Sequence, residues 1–307
     1  MLLRFFTTQA RNRPRLRDAL TPAWRTTGAA VLAAGVGAVA ARGLYRVLTD
    51  RWGTAHPRGK WNRVNYRGER VTLLEGPAVA AGACAGIALT PGIRPALRVA
   101  AVLAGGGAAV FGAYDDLYGS GSSRGFRGHV GALARGRLTT GAVKIAGIGA
   151  SGLAAAATLN RTAVDTLVDG ALIAGSANLL NLFDLRPGRA AKVALLTGSS
   201  ALAHPGAAPV AAALLGATCA LLPEDLRERA MLGDAGANAL GALLGLAAAA
   251  SCPRWARLGL LAGVVALTAA SEYVSFTHVI AVTPPLRLLD EWGRRPAPLP
   301  APVTQPG

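Results

Sequence analysis

Acidic residues are scarce in this sequence, and several of them stand at the ends of long apolar segments. The 307 residues include 16 Asp and Glu against 32 Lys and Arg. Three segments stand out: GAYDDLYG with Asp115 and Asp116, NLLNLFDLRPGRA with Asp184, and MLGDAGANALG with Asp234. A charge at the edge of a hydrocarbon span is costly, and such residues are usually functional. Four carboxylates on one face of a basic membrane protein suggest a site for a divalent cation and a phosphate-bearing substrate.

The first segment places two adjacent carboxylates at a helix end. Asp115 and Asp116 end an apolar run and open a Gly-rich loop, YGSGSSRGFRGH. Two such carboxylates can share work, one on a metal and the other on a proton. The alternative is a solvated turn with two surface acids.

The second segment combines amides, a carboxylate and cations. Asn178, Asn181 and Asp184 are spaced three apart, so on a helix they fall on neighbouring parts of one face. Amides in an apolar run are expensive unless they pair with each other, a ligand or a neighbouring helix. Interhelical hydrogen bonding is therefore an alternative to ligand binding. Three cations follow at once and form a cluster suited to phosphate: Arg186, Arg189 and Lys192.

The third segment, LGDAGANALG, precedes another apolar run. Gly233 and Gly236 let backbone amides approach a ligand closely. The start of the following helix adds positive dipole character, which favours phosphate oxygens. The alternative is that Asp234 is an ordinary helix N-cap.

Four other residues are predicted to lie outside the core of the site. Lys144 begins an apolar run, where its long side chain can extend to the headgroups. His129 lies in a basic loop and is expected to face the surface. Asp165 and Asp169 are expected to be helix-start acids on the opposite side of the membrane.

Composition indicates which elements must position these residues. The chain is 52% hydrophobic and 16% charged, with a mean hydropathy of +0.37, whereas a soluble domain carries about 25% charged residues. Its apolar runs approach the roughly 20 residues that cross a bilayer as helix. We therefore predict an all-α, polytopic integral membrane protein with nine to ten spans. The nine segments are 27–48, 73–91, 95–114, 139–158, 162–183, 191–205, 207–222, 236–251 and 256–274.

Domain organisation and orientation follow from charge. A basic segment, 1–26, precedes one transmembrane domain, 27–295, and a Pro-rich tail, 296–307, is expected to be disordered. The basic segment lacks a long apolar core, so no cleaved signal peptide is expected. Most Lys and Arg fall in one alternating set of loops, which is predicted to be cytoplasmic and includes all three carboxylate segments.

The net charge of +16 does not indicate a nucleic-acid partner. The Arg residues are spread through short loops, and no nucleic-acid-binding motif occurs. Anionic headgroups and phosphate substrates explain the charge better. Cys84, Cys219 and Cys252 are scattered and form neither a disulfide framework nor a zinc motif.

Together, DDLYG, NLLNLFD and LGDAGANALG resemble the motifs of the polyprenyl-phosphate N-acetylhexosamine-1-phosphate transferase family. The family pattern is a DDxxG-like loop, then NxxNxxD ending a span, then MGDxGSxxLG opening another. Members include the bacterial phospho-N-acetylmuramoyl-pentapeptide transferase and the enzymes that load N-acetylglucosamine-1-phosphate onto undecaprenyl phosphate. The three motifs occur here in the same order, and the resemblance covers roughly 27–295.

Other parts of the chain match this family less closely. WNRVNYRGERVT, with Asn65, resembles an Asn- and Arg-bearing segment before the second span but lacks its TPxxGG ending. His278 alone stands where the peptidoglycan-precursor enzyme has a triple-histidine motif, and DLRPGRA replaces DGxDGLA. These departures argue against a standard peptidoglycan-precursor transferase and indicate a divergent subgroup.

The resemblance implies a phosphoglycosyl transferase. It would transfer a sugar-1-phosphate, as N-acetylhexosamine-1-phosphate, from a UDP-sugar to polyprenyl phosphate and release UMP in cell-envelope glycan biosynthesis. Asp184 and Asp234 would contact Mg²⁺, with Mn²⁺ as an alternative. Asp115 would deprotonate or orient the lipid phosphate, and Asp116 would support the metal or a cationic neighbour. The implied substrate-binding residues are Asn65, Asn178, Asn181, Arg186, Arg189 and His278.

The same resemblance implies a multi-pass protein of the plasma (inner) membrane whose site faces the cytoplasm. Its partners would be the UDP-sugar, polyprenyl phosphate and membrane lipids, and a homodimer stays open. Two alternatives belong to other classes of function. One is a catalytically inactive scaffold for envelope assembly; the other is an anionic-lipid transporter, which should place its polar groups near the midplane of broken helices. Carboxylates at one membrane edge favour the enzyme.

Overall fold

In the residues that the structure describes, the chain folds mainly as helices, with one small β-hairpin. The computed structural model describes residues 23–52, 59–119, 139–159 and 162–296. The helices are α1 (Ala23–Trp52), α2 (Glu75–Leu89), α3 (Pro95–Ala101), α4 (Gly107–Tyr118), α5 (Thr140–Ala157), α6 (Ala163–Phe183), α7 (Arg189–Ala201), α8 (Ala208–Leu226), α9 (Gly233–Ser251), α10 (Arg254–Ser271), α11 (Phe276–Val282) and α12 (Pro284–Glu291). A π-helical turn, Val102–Gly106, joins α3 to α4.

The predicted helical membrane architecture is confirmed in its coarse form. Each of the nine predicted segments coincides with a helix, but nine to ten spans are not confirmed. In the described residues, five helical segments are long and apolar enough to cross a membrane, or six if α10 and α11, bent by 92°, count as one. Those five are Thr27–Trp52, Pro95–Tyr118, Thr140–Ala157, Ala163–Phe183 and Ala208–Leu226.

The remaining predicted spans fall short for two physical reasons. At about 1.5 Å per residue, the 15 residues of α2 and the 13 of α7 are shorter than a hydrocarbon core of about 30 Å. In α9, Asp234 and Asn238 lower the hydropathy of an otherwise apolar helix. The basic segment before α1, His129 and the Pro-rich tail after Pro296 lie outside the described residues.

Helix α9 occupies the centre of the bundle and contacts every helix from α2 to α8. Its small residues allow backbones to approach closely. A Cβ on Gly245 would lie 2.7 Å from the Cα of Ile173 in α6, and one on Gly236 would lie 2.7 Å from the Cα of Gly76 in α2. Such small-residue contacts are typical of helix packing in lipid. The position of the α9 N-terminus is therefore defined from several sides.

The hairpin covers the end of the bundle at which α9 begins. Strands β1 (Asn62–Val64) and β2 (Arg70–Thr72) pair antiparallel, with Asn62 opposite Thr72. Thr72 also bridges to Ala230, and the Met231 amide donates to the Thr72 carbonyl at 3.0 Å. The hairpin is thus tied to the chain that leads into α9.

At the opposite end of α6, charged side chains attach α10. Arg257 is 3% exposed, and its guanidinium contacts Asp169, which is fully buried. It also pairs with Asp165 at 3.0 Å. Asp165 lies in the first turn of α6, as expected of a helix-start acid. Asp169 instead lies one turn further along, in a buried ion pair, and is not the helix-start acid that was expected.

We predict that Arg257→Gln destabilises the protein, whereas Arg254→Gln does not. Breaking a buried pair leaves the Asp169 charge without its guanidinium and should cost about 3 kcal/mol. Arg254 is the matched control, because its side chain is 56% exposed and lies 3.7 Å from Asp165, and exposed pairs contribute little. Thermal unfolding of the purified variants in detergent measures both. Equal midpoints for the two variants would contradict the assignment.

Candidate active site

The carboxylate segments meet where α4 and α6 end and α9 begins. Asp116, at the end of α4, accepts hydrogen bonds from the backbone amides of Asp234 at 3.1 Å and Ala235 at 2.9 Å. The α9 N-cap position is Leu232, whose side chain makes no capping hydrogen bond. Asp116 therefore satisfies amides that an N-cap would otherwise satisfy. Its negative charge also faces the positive end of the α9 dipole.

Lys144 connects the first and third segments. Its Nζ lies 2.8 Å from Asp115 Oδ2 and 2.5 Å from Asp234 Oδ2, and its side chain is 14% exposed. The prediction that Lys144 extends to the headgroups, outside the site, is therefore wrong. The alternative of Asp234 as an N-cap is also wrong, because its side chain pairs with Lys144 instead. The sequence contains no direct signal for this pairing, because Asp234 lies 90 residues further along the chain.

Gly233 lies between Asp116 and Asp184. Its φ of +59° is a left-handed conformation that favours glycine, and a Cβ there would lie 3.0 Å from Asp116 Oδ2. Its backbone amide lies near enough to the carboxyl of Asp184, the residue that ends α6, to influence that carboxyl. Burial raises the pKa of the Asp184 carboxyl well above its ordinary value, repulsion from Asp225, Asp234 and Asp116 adds to this rise, and the Gly233 amide opposes it. The turn at Leu232, Gly233 and Asp234 thus places all three carboxylate segments side by side.

Two buried acids near this turn were missed from sequence. Glu75 begins α2 and Asp225 lies near the end of α8, and each is 1% exposed. Glu75 Oε2 and Asp225 Oδ2 have no hydrogen-bond partner among the described residues. Glu75 lies close enough to Asp225 and Asp184 for their charges to interact. Both stand at the ends of apolar runs. Asp115, Asp116, Asp184 and Asp234 were selected for this same position, so Glu75 and Asp225 could have been found in the same way.

A cavity lies under the hairpin and is called the hairpin cavity here. Several of the predicted substrate-binding and metal-binding residues line it. It has a volume of about 220 Å³ and is lined by Asn65, Tyr66, Asp184, Arg186 and Asp225, among others. Asn65 shapes the turn, since its Oδ1 accepts from the amides of Arg67 and Glu69 at 2.9 Å each. Arg186 lies over the Tyr66 ring, 4.5 Å from its centroid. Asn65, Asp184 and Arg186 therefore share one cavity.

Asn178 and Asn181 line a second, larger space, the amide cavity. Its volume is about 400 Å³, and its polar lining includes Lys144, Asn178, Asn181, Asn238 and Glu272. Within the described ranges, the Asn178 and Asn181 side chains make no hydrogen bond, so the interhelical pairing considered as an alternative is not observed. The two predicted amides thus share a cavity with Lys144.

Arg189 and His278 are not brought to these cavities. Arg189 is buried and forms a two-pronged ion pair with Asp290, Nε to Oδ1 at 2.8 Å and Nη2 to Oδ2 at 3.0 Å. Its Nη1 donates to Thr277 at 2.9 Å. The guanidinium thus holds α12 in this structure, and the phosphate contact of Arg189 stays a prediction. Burial raises the pKa of the Asp290 carboxyl. The hydrogen bonds from Arg189 and Arg294, together with their charges, outweigh burial and hold that pKa below its usual value. His278 is exposed on α11.

The donor set suits a hard cation that is shared with a substrate. No group of three or more His, Cys, Asp or Glu in the described part of the chain forms a metal cage. Mg²⁺, however, usually takes one or two carboxylates, waters and substrate phosphates. Asp184 and Asp234 flank the Gly233 turn, and the unpartnered oxygens of Glu75 and Asp225 add negative charge nearby. The residues present therefore fit such an ion.

Neither the protein-family models nor the curated proteins with which the chain was compared gave a match.

We predict that Asp116→Asn lowers stability. The asparagine side chain has one acceptor oxygen where the carboxylate has two. One of the two backbone N–H groups of α9 would therefore face an NH₂ group instead of a carboxylate oxygen. Leaving a buried donor unsatisfied costs about 1–3 kcal/mol. Thermal unfolding should show a lower midpoint for this variant than for Asp50→Asn, a control at an exposed position on α1. An unchanged midpoint for Asp116→Asn would contradict its capping role.

Proposed function

We propose that this protein is a phosphoglycosyl transferase, which transfers a sugar-1-phosphate from a UDP-sugar to polyprenyl phosphate and releases UMP. The observation that carries the proposal is the meeting of three separate motifs at one helix terminus. Asp116 accepts from the first amides of α9, Asp115 and Asp234 share Lys144, and the Asp184 carboxyl lies near the Gly233 amide. The same motifs, in the same order, carry the resemblance to the polyprenyl-phosphate N-acetylhexosamine-1-phosphate transferases.

The proposed reaction exchanges one phosphate bond for another. An oxygen of the lipid phosphate attacks the phosphorus that bears the sugar, the β-phosphorus of the UDP-sugar. The bond from that phosphorus to the bridging oxygen breaks, and its electron pair leaves with UMP. The products are a polyprenyl diphosphate sugar and UMP. Both reactants are anions, so neutralisation of charge should be the largest contribution to the rate.

The side chains present can divide this work. Asp115 lies 2.8 Å from Lys144, where it can orient the lipid phosphate or take its proton. Asp184 and Asp234 would hold Mg²⁺, with Mn²⁺ as an alternative, and the bound ion would neutralise charge on the diphosphate. Arg186 has no ion pair with a described residue and lines the hairpin cavity, where it can bind a nucleotide phosphate.

The proposed setting is the plasma membrane, with the site on the cytoplasmic side, in a cell-envelope glycan pathway. If α10 counts as a span, the shorter helices α2 and α7 and the central helix α9 would bring the membrane-embedded segments to nine, the lower of the two expected numbers. The excess of basic residues in the loops on the site's side supports this orientation.

The direct test is incubation of purified protein with polyprenyl phosphate and a panel of UDP-sugars, with measurement of UMP. Release of UMP that requires both substrates would support the proposal. Absence of UMP with every sugar in the panel would overturn it.

One observation favours a second candidate, a catalytically inactive scaffold. Lys144 already pairs with both Asp115 and Asp234, as a cation would in a site that no longer binds metal. A scaffold should release no UMP and should support envelope assembly equally well when Asp234 is replaced. A transporter is disfavoured, since Asp115, Asp184 and Asp234 lie at helix ends rather than near the middle of helices.

We predict that Asp234→Asn abolishes transfer without preventing folding. The substitution keeps the size of the side chain, and Asp115 still pairs with Lys144, but the charge that would hold the cation is lost. Losing a metal contact should cost several kcal/mol, which corresponds to about a hundredfold or more in rate. Initial rates of UMP release and the thermal midpoint measure the two effects. Near-parental turnover would refute the metal assignment. The control is Glu291→Gln, which removes a carboxylate at an exposed position and should leave turnover unchanged.

Activity is also expected to depend on a divalent cation. Exhaustive chelation should abolish UMP release, and Mg²⁺ or Mn²⁺ should restore it, because carboxylate oxygens and diphosphate together favour hard cations. The assay compares chelated protein with the same sample after the metal is returned. Full activity after chelation would contradict the proposed chemistry.

A further inference from the structure

The amide cavity contains more hydrogen-bonding capacity than the described residues use. Asn238, 1% exposed, lies one turn after Asp234 on α9, and its Nδ2 donates to the Asp234 carbonyl at 2.6 Å. Its Oδ1 accepts no hydrogen bond in the ranges that the structure describes, and the Asn178 and Asn181 amides make none there either. Each carboxamide offers two donors and an acceptor. Three such groups around one space are costly near a membrane unless a ligand pairs with them.

The charges around this cavity disfavour an anionic ligand. Lys144 lines the cavity, but its ammonium is already paired with Asp115 and Asp234. Glu272, which also lines the cavity, adds a carboxylate. A phosphate placed inside would meet amides, hydroxyls and that carboxylate, with no unpaired cation among the described lining residues. A neutral group rich in hydroxyls or amides suits this lining better.

The place of the cavity agrees with such a ligand. Its volume of about 400 Å³ falls within the range of about 300–1,000 Å³ typical of small-molecule sites. Lys144 belongs both to the cavity and to the carboxylate cluster, so a sugar inside would hold its phosphate next to Asp115 and Asp234. The hairpin cavity, lined by Arg186 and Tyr66, lies beside Asp184 and is separate.

From these contacts we infer that the amide cavity binds the sugar of the UDP-sugar and that Asn238 is a specificity-determining residue for it. The inference rests on the proposed function and deepens it. Asn238 would use its Oδ1 and its second Nδ2 hydrogen on hydroxyl or acetamido groups of the sugar, alongside Asn178 and Asn181. A site built to pair with a substrate's polar groups discriminates strongly against analogues that lack them.

The test compares Asn238→Ala with Ser176→Ala. Ser176 lies on α6 and lines a different, mainly apolar cavity between α6, α7, α9 and α10, so its hydroxyl is a matched control. UMP release gives kcat/KM for UDP-hexoses with and without a 2-acetamido group, the KM for polyprenyl phosphate, and the inhibition constant of UMP. Asn238→Ala should lower kcat/KM for the preferred sugar about tenfold and reduce discrimination between sugars. UMP inhibition and the KM for polyprenyl phosphate should stay unchanged, and Ser176→Ala should match the parent throughout.

Other results would overturn the inference while the proposed function stands. A parallel loss of UMP affinity would assign the cavity to the nucleotide, and a raised KM for polyprenyl phosphate would assign it to the lipid. No change in any constant would show that Asn238 does not contact the substrate.

If the parent releases no UMP, the proposed function fails, and thermal protection by UDP-sugar and by UMP decides the inference separately. Greater protection by the UDP-sugar, lost in Asn238→Ala, would still support a sugar site. Equal protection by the two ligands, or none, would overturn it.

Discussion

The arrangement depends on one contact: the Asp116 carboxylate accepting the first amides of α9. A helix that begins inside a membrane protein leaves amides that water cannot easily satisfy. Here α4 supplies the acceptor, with hydrogen bonds of 3.1 and 2.9 Å. That contact fixes the end of α4 against the start of α9, and so brings Asp115 and Asp234 to the same Lys144. The left-handed turn at Gly233 then leaves its amide pointing at Asp184.

Around this contact the site holds more acid than base. Lys144 is shared by two carboxylates, while Asp184, Glu75 and Asp225 form no ion pair with a described residue. Burying uncompensated carboxylates is unfavourable, and a site that binds a cation together with an anionic substrate is the ordinary reason for retaining them. The two cavities differ in their cations: Arg186, which has no ion pair with a described residue, lines the hairpin cavity, whereas the cation of the amide cavity, Lys144, is already paired with Asp115 and Asp234.

Local pattern predicted the parts of the molecule that depend on neighbours in sequence. Hydropathy located helices in all nine segments, and a spacing of three placed Asn178 and Asn181 on the wall of one cavity. What sequence could not supply were pairings between distant residues. The sequence predicted that Arg189 contacts phosphate, but in the structure its guanidinium pairs with Asp290, which lies 101 residues later in the chain. Lys144 looked solvated because its partners, Asp115 and Asp234, lie on other helices. Glu75 and Asp225 fell outside the recognised motifs, although their position at apolar ends matched the criterion used elsewhere.

We propose that at this site the phosphorus bearing the sugar passes to a lipid phosphate. The test is to label the α- and β-phosphorus of a UDP-sugar separately and then to extract the reaction with polyprenyl phosphate into organic solvent. We expect the β-label to enter the lipid fraction with the sugar, while the α-label stays in aqueous UMP. Both labels remaining in the aqueous phase with every sugar would contradict it, and so would transfer of labelled sugar without the β-phosphorus.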